Sequence, residues 1–341
     1  MIMLSIVIPT RNRAELLRNA LESLAIQTLP DDGFEVIVTD NGSQDNTKNV
    51  VDSYEGRIKN LRYFYVSTPG LHVGRNLGLE VAVGDVLAYL DDDVCVQPGW
   101  ADAVTGRFGS DVNIALLGGP CLPYWEETPP DWINDFVITR DEGWELGQLS
   151  VMDLGPNPRY ISALDVYGCN FSIRKHVLLA LGGFHPDGLP DEFIQYRGDG
   201  ETSVSRAIDA DRKMAFYEPL ASVTHFVPAS RLKKEYFMGV ARRGAMSHAY
   251  SLFRDGWCSG KINMIGKAVL LWADFLSSLL GAFRRSLLKG PSRRFTLADY
   301  YFEARWHIAV QFSRILITSR LRKWVLQPTY FKKDPCPYWQ E

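Results

Sequence analysis

Short apolar runs alternate with longer amphipathic stretches along the first hundred residues. Runs rich in β-branched and apolar residues predict strands at 5–10, 35–40, 61–66 and 85–90. The stretches between them have helical spacing and predict helices over 13–27, 45–56 and 73–83. Near-continuous apolar strands separated by helices are typical of a parallel sheet covered on both faces. The pattern therefore predicts an α/β fold with a Rossmann-like first part, which binds ligands at the carboxyl ends of its strands.

The alternation stops near residue 121 and returns after residue 165. The sequence between these positions is rich in Pro and Trp, and long irregular segments of this kind are usually functional loops or lids. Beyond it, we predict strands over 166–174, 214–218 and 222–226 and a helix near 200–210. Four aromatic residues of the insert could bind a sugar ring or a lipid carrier, or could form its small core: Trp125, Trp132, Phe136 and Trp144.

After Pro228 the chain becomes basic and helical in pattern. One apolar stripe comprises Ile265, Val269, Trp272, Leu276, Leu279 and Phe283, and a second comprises Tyr301, Ala304, Ile308, Phe312 and Ile315. Polar residues fall on the opposite side of each stripe. The uninterrupted apolar run is shorter than the about 20 residues that a membrane span needs. We therefore predict amphipathic helices over this region rather than transmembrane ones.

The formal net charge of −3 conceals two oppositely charged regions. Residues 1–228 carry 17 Lys and Arg against 33 Asp and Glu, whereas residues 229–341 carry 20 against 7. Such asymmetry indicates that one part faces an anionic partner. We expect no nucleic-acid partner, because the basic residues are interleaved with apolar stripes and no nucleic-acid-binding motif is present. Basic amphipathic helices fit an anionic membrane surface better, with packing on the rest of the chain or a dimer contact as the open alternative.

Several classes of protein lack their expected signatures. The five cysteines are scattered and odd in number, which argues against a disulfide framework or a cysteine zinc site and favours a reducing compartment. The amino-terminal apolar run is short and has no basic segment ahead of it, unlike a signal peptide. Neither GxGxxG nor GxxxxGK[ST] occurs, so dinucleotide oxidoreductases and P-loop proteins are disfavoured.

Three adjacent carboxylates, those of Asp91, Asp92 and Asp93, follow the fourth predicted strand. They repel one another and gain nothing in an apolar core. At the carboxyl edge of a sheet they are natural ligands for Mg²⁺ or Mn²⁺, held together with phosphate oxygens. Alternation along the strand direction predicts Asp91 and Asp93 on one side and Asp92 on the other. A solvated acidic turn is the alternative interpretation.

Polar residues also follow the other predicted strands. Thr10 and Asn12 follow the first strand, and Asp40 ends the second, where it could instead serve an Asx-turn. Arg75 lies at the start of the third helix, where an arginine beside a helix amino terminus indicates a phosphate site, although it could be a surface charge.

Two carboxylates and a histidine complete the candidates. Asp199 and Glu201 lie in a Gly-punctuated turn that leads into a predicted helix, where either could cap the helix or act as a general base. His225 follows a short predicted strand, and a lone histidine is more often packed or capped than a metal ligand.

Four segments together resemble the successive motifs of family 2 glycosyltransferases with the GT-A fold: SIVIPTRNR, VTDNGSQDNT, GRNLGLEVAVGDVLAYLDDDV and GDGETSVSR. Their order and spacing cover residues 3–228. The resemblance implies a mixed, mostly parallel sheet with helices on both faces, to which the pattern after Pro228 adds an α-helical basic extension. It also implies a catalytic domain over 1–228, with a nucleotide-sugar-binding half at 1–120 and an acceptor-side half at 121–228. Residues 229–341 would form the amphipathic helical region.

The resemblance gives the donor-side candidates their roles. Thr10 and Asp40 would line the pocket for the nucleotide base, and Arg75 would approach the diphosphate or its ribose. Asn12 and Asp92 are counted with them as donor-binding residues.

Metal and base roles follow from the same resemblance. Asp91 and Asp93 correspond to the two acids of the family's DxD motif, one on the donor ribose and one on the Mg²⁺ or Mn²⁺ ion. His225 falls where related enzymes often have a histidine near the metal and the diphosphate. Glu201 takes the position of the base, but the preceding glycine stands where the family often has Glu, which leaves Asp199 as a rival.

The activity implied is transfer of a sugar, with inversion, from a UDP-, GDP- or dTDP-linked donor to a hydroxyl of a glycan or lipid-linked acceptor. Cell-surface or extracellular polysaccharide biosynthesis is the expected setting, with the protein cytoplasmic or peripheral on the cytoplasmic face of the plasma membrane. A non-catalytic sugar- or nucleotide-binding scaffold of a polysaccharide-synthesis complex is one alternative. A sugar-nucleotide nucleotidyltransferase is another, although such enzymes usually carry a glycine-rich basic loop where this chain reads PTRNRAE.

Overall fold

Fourteen strands and ten α-helices occur in the part of the chain that the computed structural model describes, residues 3–27, 33–260, 263–289 and 295–330, with side chains omitted for 281–289. The strands are β1 Leu4–Thr10, β2 Phe34–Asp40, β3 Leu61–Tyr65, β4 Val86–Leu90, β5 Val94–Val96, β6 Ile114–Gly118, β7 Cys121–Trp125, β8 Ile138–Thr139, β9 Trp144–Leu146, β10 Val151–Asp153, β11 Arg159–Ile161, β12 Asn170–Arg174, β13 Met214–Tyr217 and β14 Val223–Val227. The helices are α1 Ala14–Ala25, α2 Thr47–Asp52, α3 Leu71–Val81, α4 Trp100–Ser110, α5 Lys175–Ala180, α6 Gly200–Ala210, α7 Lys234–Ser259, α8 Met264–Lys289, α9 Leu297–Ile317 and α10 Ser319–Val325.

The larger sheet has eight strands in the order β11-β13-β6-β12-β4-β1-β2-β3. Strands β4, β1, β2 and β3 are parallel, and β12 inserts antiparallel between β4 and β6. Alternate residues of β1 belong to separate cores: Ile6 and Ile8 pack on one face of the sheet and Val7 on the other. Because both faces of β1 are buried, the strand reads as a continuous apolar run. The strand directions confirm the predicted mixed, mostly parallel sheet.

A second sheet of six strands has the order β5-β14-β7-β10-β9-β8. Four of its strands come from the insert that the sequence predicted to be an irregular loop, and that prediction is wrong in this respect. These strands are two to five residues long, which is too short for an alternating pattern to be recognised. The helix α4 and the strand β6 were not predicted either.

Strand β5 begins directly after the three adjacent carboxylates. The turn at 91–93 therefore carries the chain from β4 of the large sheet to β5 of the small one. His225 of β14 pairs with Val94 of β5, and the amide of Phe226 donates to the carbonyl of Asp93 at 2.9 Å. This pairing brings β14, near the end of residues 1–228, next to the acidic turn at 91–93.

Helices α7, α9 and α10 pack together and onto the preceding part of the chain. Phe312 and Ile315 of the second predicted stripe are fully buried, in a core with Phe253 and Trp324. The side chain of Gln311 donates to the carbonyl of Gln195 at 2.7 Å, across the boundary between the two charged regions. Packing of these helices on the rest of the chain, left open above, is therefore observed.

The first predicted stripe, on α8, is divided between two environments. Trp272 and Phe275 contact Trp306 of α9, with ring centroids 5.7 and 5.1 Å apart. The apolar residues exposed on the same helix, between 43% and 69% of their surface, are Ile265, Val269, Leu270, Leu276, Leu279 and Leu280. Phe283 lies outside the residues whose side chains are described. Within the described ranges, no helix has the length and apolarity needed to cross a membrane.

The aromatic residues of the insert form a core with the carboxyl-terminal region. Trp132 makes edge contacts with Phe136, Phe237 and Phe295, and Phe136 is buried in the same cluster. Trp125 and Trp144 pack partly buried against it. Of the two roles predicted for these aromatic residues, ligand binding or a small core, Trp132 and Phe136 are observed in the core.

Helix α3 lies unusually close to β1 because it carries glycine at the contact. A Cβ atom built on Gly78 would lie 2.3 Å from a methyl group of Val7, which is far inside van der Waals contact. The approach places Arg75 and Asn76, which are buried on the same helix, against the sheet edge.

We expect Gly78→Ala to lower the free energy of unfolding by about 1–3 kcal/mol, because the added methyl group has no space. Gly106→Ala is the matched control: Gly106 also lies in a helix, but its built Cβ meets no atom within 4 Å. This control should gain about 0.5–1 kcal/mol from the difference in helix propensity. Urea denaturation of both variants measures the difference, and equal midpoints would contradict the close approach.

Candidate active site

An open cleft of about 310 Å³ lies at the carboxyl edge of the large sheet, where β1, β2 and β4 end side by side. Its walls comprise Pro9, Thr10, Arg11, Arg13, Asn41, Gly70, Leu71, Asp91, Asp92, Asp93, Gly188 and Arg231. Four of the predicted site residues, Thr10 and the three adjacent carboxylates, are therefore brought together. The position agrees with the general rule for ligand sites on open α/β sheets.

Asp92 is buried at the floor of the cleft between two donors. Thr10 donates its hydroxyl to one carboxylate oxygen at 2.8 Å, and Arg13 donates to the other at 2.9 Å. Burial raises the pKa of Asp92 to about 6, against the attraction of Arg13. Arg13 was not among the predicted site residues, although it belongs to the first quoted motif. Three adjacent acids need positive partners, and that need could have pointed to this arginine.

Asp93 is buried among three positively chargeable groups. Its Oδ2 accepts from Arg231 at 2.9 Å and from Arg13 at 3.2 Å, and its Oδ1 lies 3.3 Å from Nε2 of His225. Burial would raise the pKa of Asp93, but His225 and the two guanidinium groups hold it well below its usual range. The predicted separation of Asp92 from Asp93 is wrong, since Arg13 contacts both. Residues 91–93 form a turn, where strand alternation does not apply.

His225 is held between the backbone and an arginine that sequence reasoning missed. Its Nδ1 faces the carbonyl oxygen of Ser150 at 3.3 Å, and its Nε2 lies 3.1 Å from Nη1 of Arg231. Arg231 follows β14 in a 3₁₀ helix, Ala229–Leu232, and lines the cleft. Only the strand pairing that returns β14 to the acidic turn makes this arginine part of the site.

Arg75 is buried and joins two carboxylates from different parts of the chain. Its Nη1 donates to Glu201 at 3.0 Å, and its Nη2 lies 3.3 Å from Asp91 and donates to the carbonyl of Gly168 at 2.9 Å. The side chain is 3% exposed and is absent from the cleft wall. The structure thus places Arg75 between the two acids, behind the surface that a phosphate could reach.

Glu201 is the partner of Arg75 on the side away from the acidic turn. Its side chain is 28% exposed. Burial raises the pKa of Glu201, Arg75 opposes the rise, and the charges of Asp187 and Asp91 add to it. The preceding Gly200 has a φ of +49°, and a Cβ there would lie 2.6 Å from a carboxylate oxygen of Asp187, which explains the glycine where the family often has Glu.

Asp199 is enclosed by hydrogen-bond donors and is not among the residues that line the cleft. Ser251 of α7 donates to it at 2.6 Å, His185 contacts its other oxygen at 2.7 Å, and Arg206 forms an ion pair with it. Burial would raise the pKa of Asp199, but these partners lower it below its ordinary value. A carboxylate with bound donors and a lowered pKa is a poor proton acceptor.

Asp40 and Asn12 lie beside the cleft and shape its rim. Asp40 accepts from the amide of Ser43 and from the hydroxyl of Tyr63, both at 2.7 Å. Asn12 has a φ of +53° and accepts from the amide of Gln44 at 2.8 Å. Neither belongs to the residues that line the cleft, so the structure does not place them with the carboxylates.

In the described part of the chain, no three His, Cys, Asp or Glu side chains come together in a group that could hold a metal ion. At the acidic turn, His225 forms a pair with one carboxylate, that of Asp93. One oxygen of this pair, Oδ1 of Asp93, is buried and accepts no hydrogen bond from the described residues.

Comparison with known proteins agrees with this architecture. The model of the family described as glycosyl transferase family 2 matches residues 5–181. Validoxylamine A glucosyltransferase from Streptomyces hygroscopicus subsp. jinggangensis (strain 5008) is 36% identical over 201 residues, which are 54% of this chain and 47% of that protein. Chondroitin synthase from Escherichia coli is 39% identical over 117 residues, 34% of this chain and 17% of that protein. The chain spans about half the length of the first of these relatives.

Among solved structures, a mannosyltransferase from Pyrobaculum calidifontis, PcManGT, in complex with GDP-Man and Mn²⁺, has a similar fold. The TM-score is 0.54 at 19% identity, over 97% of this chain and 85% of that chain. Together with the family match, this likeness confirms the predicted GT-A fold.

Protonation of one buried histidine should control stability in acid. His72, in the first turn of α3, is 1% exposed, and its Nδ1 accepts from the amide of Asp187 at 3.2 Å. Burial lowers the pKa of His72 from 6.5 to about 4, so between these values the unfolded chain binds the proton more readily than the folded one. We expect the free energy of unfolding to fall as the pH drops through this window, by about 3 kcal/mol in all.

The variant His72→Asn keeps an acceptor but cannot take up the proton. Urea denaturation of both proteins from pH 7 to pH 4 measures how much His72 contributes to the pH dependence of the free energy of unfolding, because the other titratable groups are the same in both. The wild-type protein should lose more stability than the variant across this range. Parallel curves would show that His72 is not the group responsible.

Proposed function

This chain belongs to glycosyl transferase family 2, and we propose that it moves a sugar from a nucleotide-sugar donor to a hydroxyl group of a glycan or lipid-linked acceptor, with inversion. One observation carries the proposal: a carboxylate with a raised pKa, that of Glu201, is held by a buried arginine next to a cleft at the sheet edge whose wall carries three Asp and three Arg side chains. Arg75 joins Glu201, the proposed base, to Asp91, which lines the proposed donor cleft. Cell-surface or extracellular polysaccharide synthesis is the setting we propose.

Glu201 is the proposed general base. A raised pKa makes its carboxylate a stronger proton acceptor near neutral pH than an ordinary glutamate. Arg75 fixes the position of one of its oxygens, and its partly exposed side chain can still reach an acceptor hydroxyl. Asp199, with its donors bound, is proposed to hold the amino terminus of α6 in place instead.

The donor is proposed to bind in the cleft. Thr10 and Asn41 stand at its base-binding end, and Asp91 faces the ribose or the metal. Asp40 and Asn12 would support that end of the cleft by fixing the turns that follow β1 and β2. We propose a UDP-, GDP- or dTDP-linked sugar as the donor class.

A divalent cation, Mg²⁺ or Mn²⁺, fits the residues present. Asp93 offers a buried oxygen that accepts no hydrogen bond from the described residues, and Nε2 of His225 lies 3.3 Å from it. The carbonyl of Ser150 faces Nδ1 and orients the ring, as backbone carbonyls commonly do for metal-binding histidines. Asp93, His225 and Asp91 are the ligands that we propose; in the described residues Asp93 and His225 lie in contact, and Asp91 would join them on binding. A bound cation would supply positive charge to the departing nucleoside diphosphate. PcManGT, which binds GDP-Man and Mn²⁺, supports the assignment.

Residues 1–228 are proposed as the catalytic domain, with the donor half at 1–120 and the acceptor half at 121–228. Residues 229–341 are proposed as a helical region that completes it. The two alternatives make different predictions: a scaffold would bind nucleotide without transfer, and a nucleotidyltransferase would release pyrophosphate rather than a nucleoside diphosphate.

The base is tested with Glu201→Gln. After a panel of nucleotide sugars with Mn²⁺ or Mg²⁺ has identified the donor by nucleoside diphosphate release, we expect this variant to lose about 10²–10⁴-fold in kcat. The KM for the donor should change little. For the wild-type enzyme, kcat/KM should fall as the pH drops through the raised pKa of Glu201, since the base must be ionised.

Two further variants separate the competing assignments. Glu127→Gln, at an exposed position, controls for the loss of a carboxylate. Asp199→Asn should lower thermal stability and leave the acid limb of the pH profile in place. If Asp199→Asn is folded but inactive while Glu201→Gln transfers normally, the base is Asp199.

We also propose that α8 binds an anionic membrane surface, at the cytoplasmic face where nucleotide sugars and lipid-linked acceptors meet. Its exposed apolar residues lie in a segment, 264–294, that carries six Lys and Arg against one acidic residue. Apolar insertion combined with attraction to anionic lipid is typical of interfacial helices.

The double variant Val269→Ser, Leu276→Ser tests this surface. At low salt the wild-type protein should sediment with phosphatidylglycerol vesicles and not with phosphatidylcholine alone. The variant should bind at least about tenfold more weakly, because two apolar side chains no longer insert. Leu220→Ser is the matched control, since Leu220 is 73% exposed but lies far along the chain from α8. A wild-type protein that stays in the supernatant would overturn the proposal.

A further inference from the structure

The guanidinium group of Arg231 contacts both of the residues, Asp93 and His225, that the proposed cation would need. Its Nη2 is 2.9 Å from Oδ2 of Asp93, and its Nη1 is 3.1 Å from Nε2 of His225. The side chain is 17% exposed and forms part of the cleft wall. It therefore borders the cleft in which the proposed donor would bind.

A guanidinium group and a divalent cation cannot share these partners at full strength. Both are positive, so they repel one another at the short distances involved, and repulsion is strong where side chains are buried. Nε2 of His225 can contact only one of them at a time. Binding of the cation therefore requires Arg231 to move away from His225 and to weaken its contact with Asp93.

The cleft offers a destination for the displaced side chain. The proposed donor brings a diphosphate group to the same cavity, and a planar guanidinium with five N–H donors matches phosphate oxygens in a bidentate manner. The Cζ of Arg231 lies 5.9 Å from the ring of Tyr236, which limits how far the side chain can swing.

We propose that Arg231 holds Asp93 and His225 before the cation binds and transfers to the nucleoside diphosphate when cation and nucleotide bind together. This inference rests on the proposed function, because it takes the cation and the nucleotide from it. Its consequence is that Arg231 opposes binding of the cation alone and favours binding of the nucleotide in the presence of the cation. The enzyme would accordingly take up the two ligands cooperatively.

Removal of the charge should therefore have effects of opposite sign on the two ligands. Arg231→Met retains much of the stem and loses the guanidinium. With the full chain and no nucleotide, Mn²⁺ titration followed by the electron paramagnetic resonance signal of free Mn²⁺ should show tighter binding to the variant. With Mn²⁺ present, calorimetric titration of UDP and GDP should show weaker binding, each change being about tenfold to hundredfold.

Arg11→Ala is the control for a general change in the charge of the cleft. Arg11 also lines the cleft, but within the described residues it forms no hydrogen bond or ion pair with Asp93 or His225. Its loss should leave Mn²⁺ affinity without nucleotide nearly unchanged. An equal gain in Mn²⁺ affinity in Arg11→Ala and Arg231→Met would overturn the specific exchange, as would unchanged or weaker Mn²⁺ binding by Arg231→Met.

Asp93→Asn separates failure of this inference from failure of the proposed function. If Asp93→Asn loses Mn²⁺ binding while Arg231→Met does not gain it, the metal assignment stands and the exchange is wrong. If Asp93→Asn binds Mn²⁺ as the wild-type protein does, the metal assignment fails, and the exchange fails with it. Circular dichroism spectra of all variants should match the wild-type spectrum, so that the affinities refer to folded protein.

Discussion

Three adjacent carboxylates at a buried sheet edge require counter-charges, and much of the molecule is arranged to provide them. Arg13 enters from the start of α1, Arg75 from α3 and Arg231 from the segment after β14. Since buried like charges repel, the acidic turn would be unfavourable without these partners. The ends of three separate parts of the chain therefore converge on one turn, and the candidate site is a product of this charge balance.

The same network extends from the donor side to the proposed base. Arg75 links the turn to Glu201, and the neighbouring Asp199 is tied to α7 through Ser251. Helix α6 is consequently held at its amino terminus from two directions, by the sheet edge and by the carboxyl-terminal helices. The pKa values of the two carboxylates follow from this geometry. The pKa of Asp199, which has several hydrogen-bond donors, is lowered, and the pKa of Glu201, which is buried with a single arginine, is raised.

The sequence predicted the regular half of the fold well. Strands such as β1, β2 and β4 are buried on both faces, and each reads as a short, mostly apolar run next to a longer helical stretch. It could not predict the small sheet, whose short strands acquire their identity only from pairing. Arg231 escaped attention because it reaches Asp93 across 138 positions of sequence. Asp199 and Glu201 could not be told apart, since a cap and a base have the same local pattern and Ser251, 52 positions from Asp199, makes the difference.

The contact between Ser251 and Asp199 bears on how this chain could be recombined with others. A chimaera joined at residue 228 would leave Asp199 without one of its donors and Gln195 without its contact to Gln311. It would also remove Arg231 from Asp93. The smallest transplantable unit is therefore larger than the matched family segment, and specificity exchanges are better made by altering the cleft wall than by exchanging whole halves.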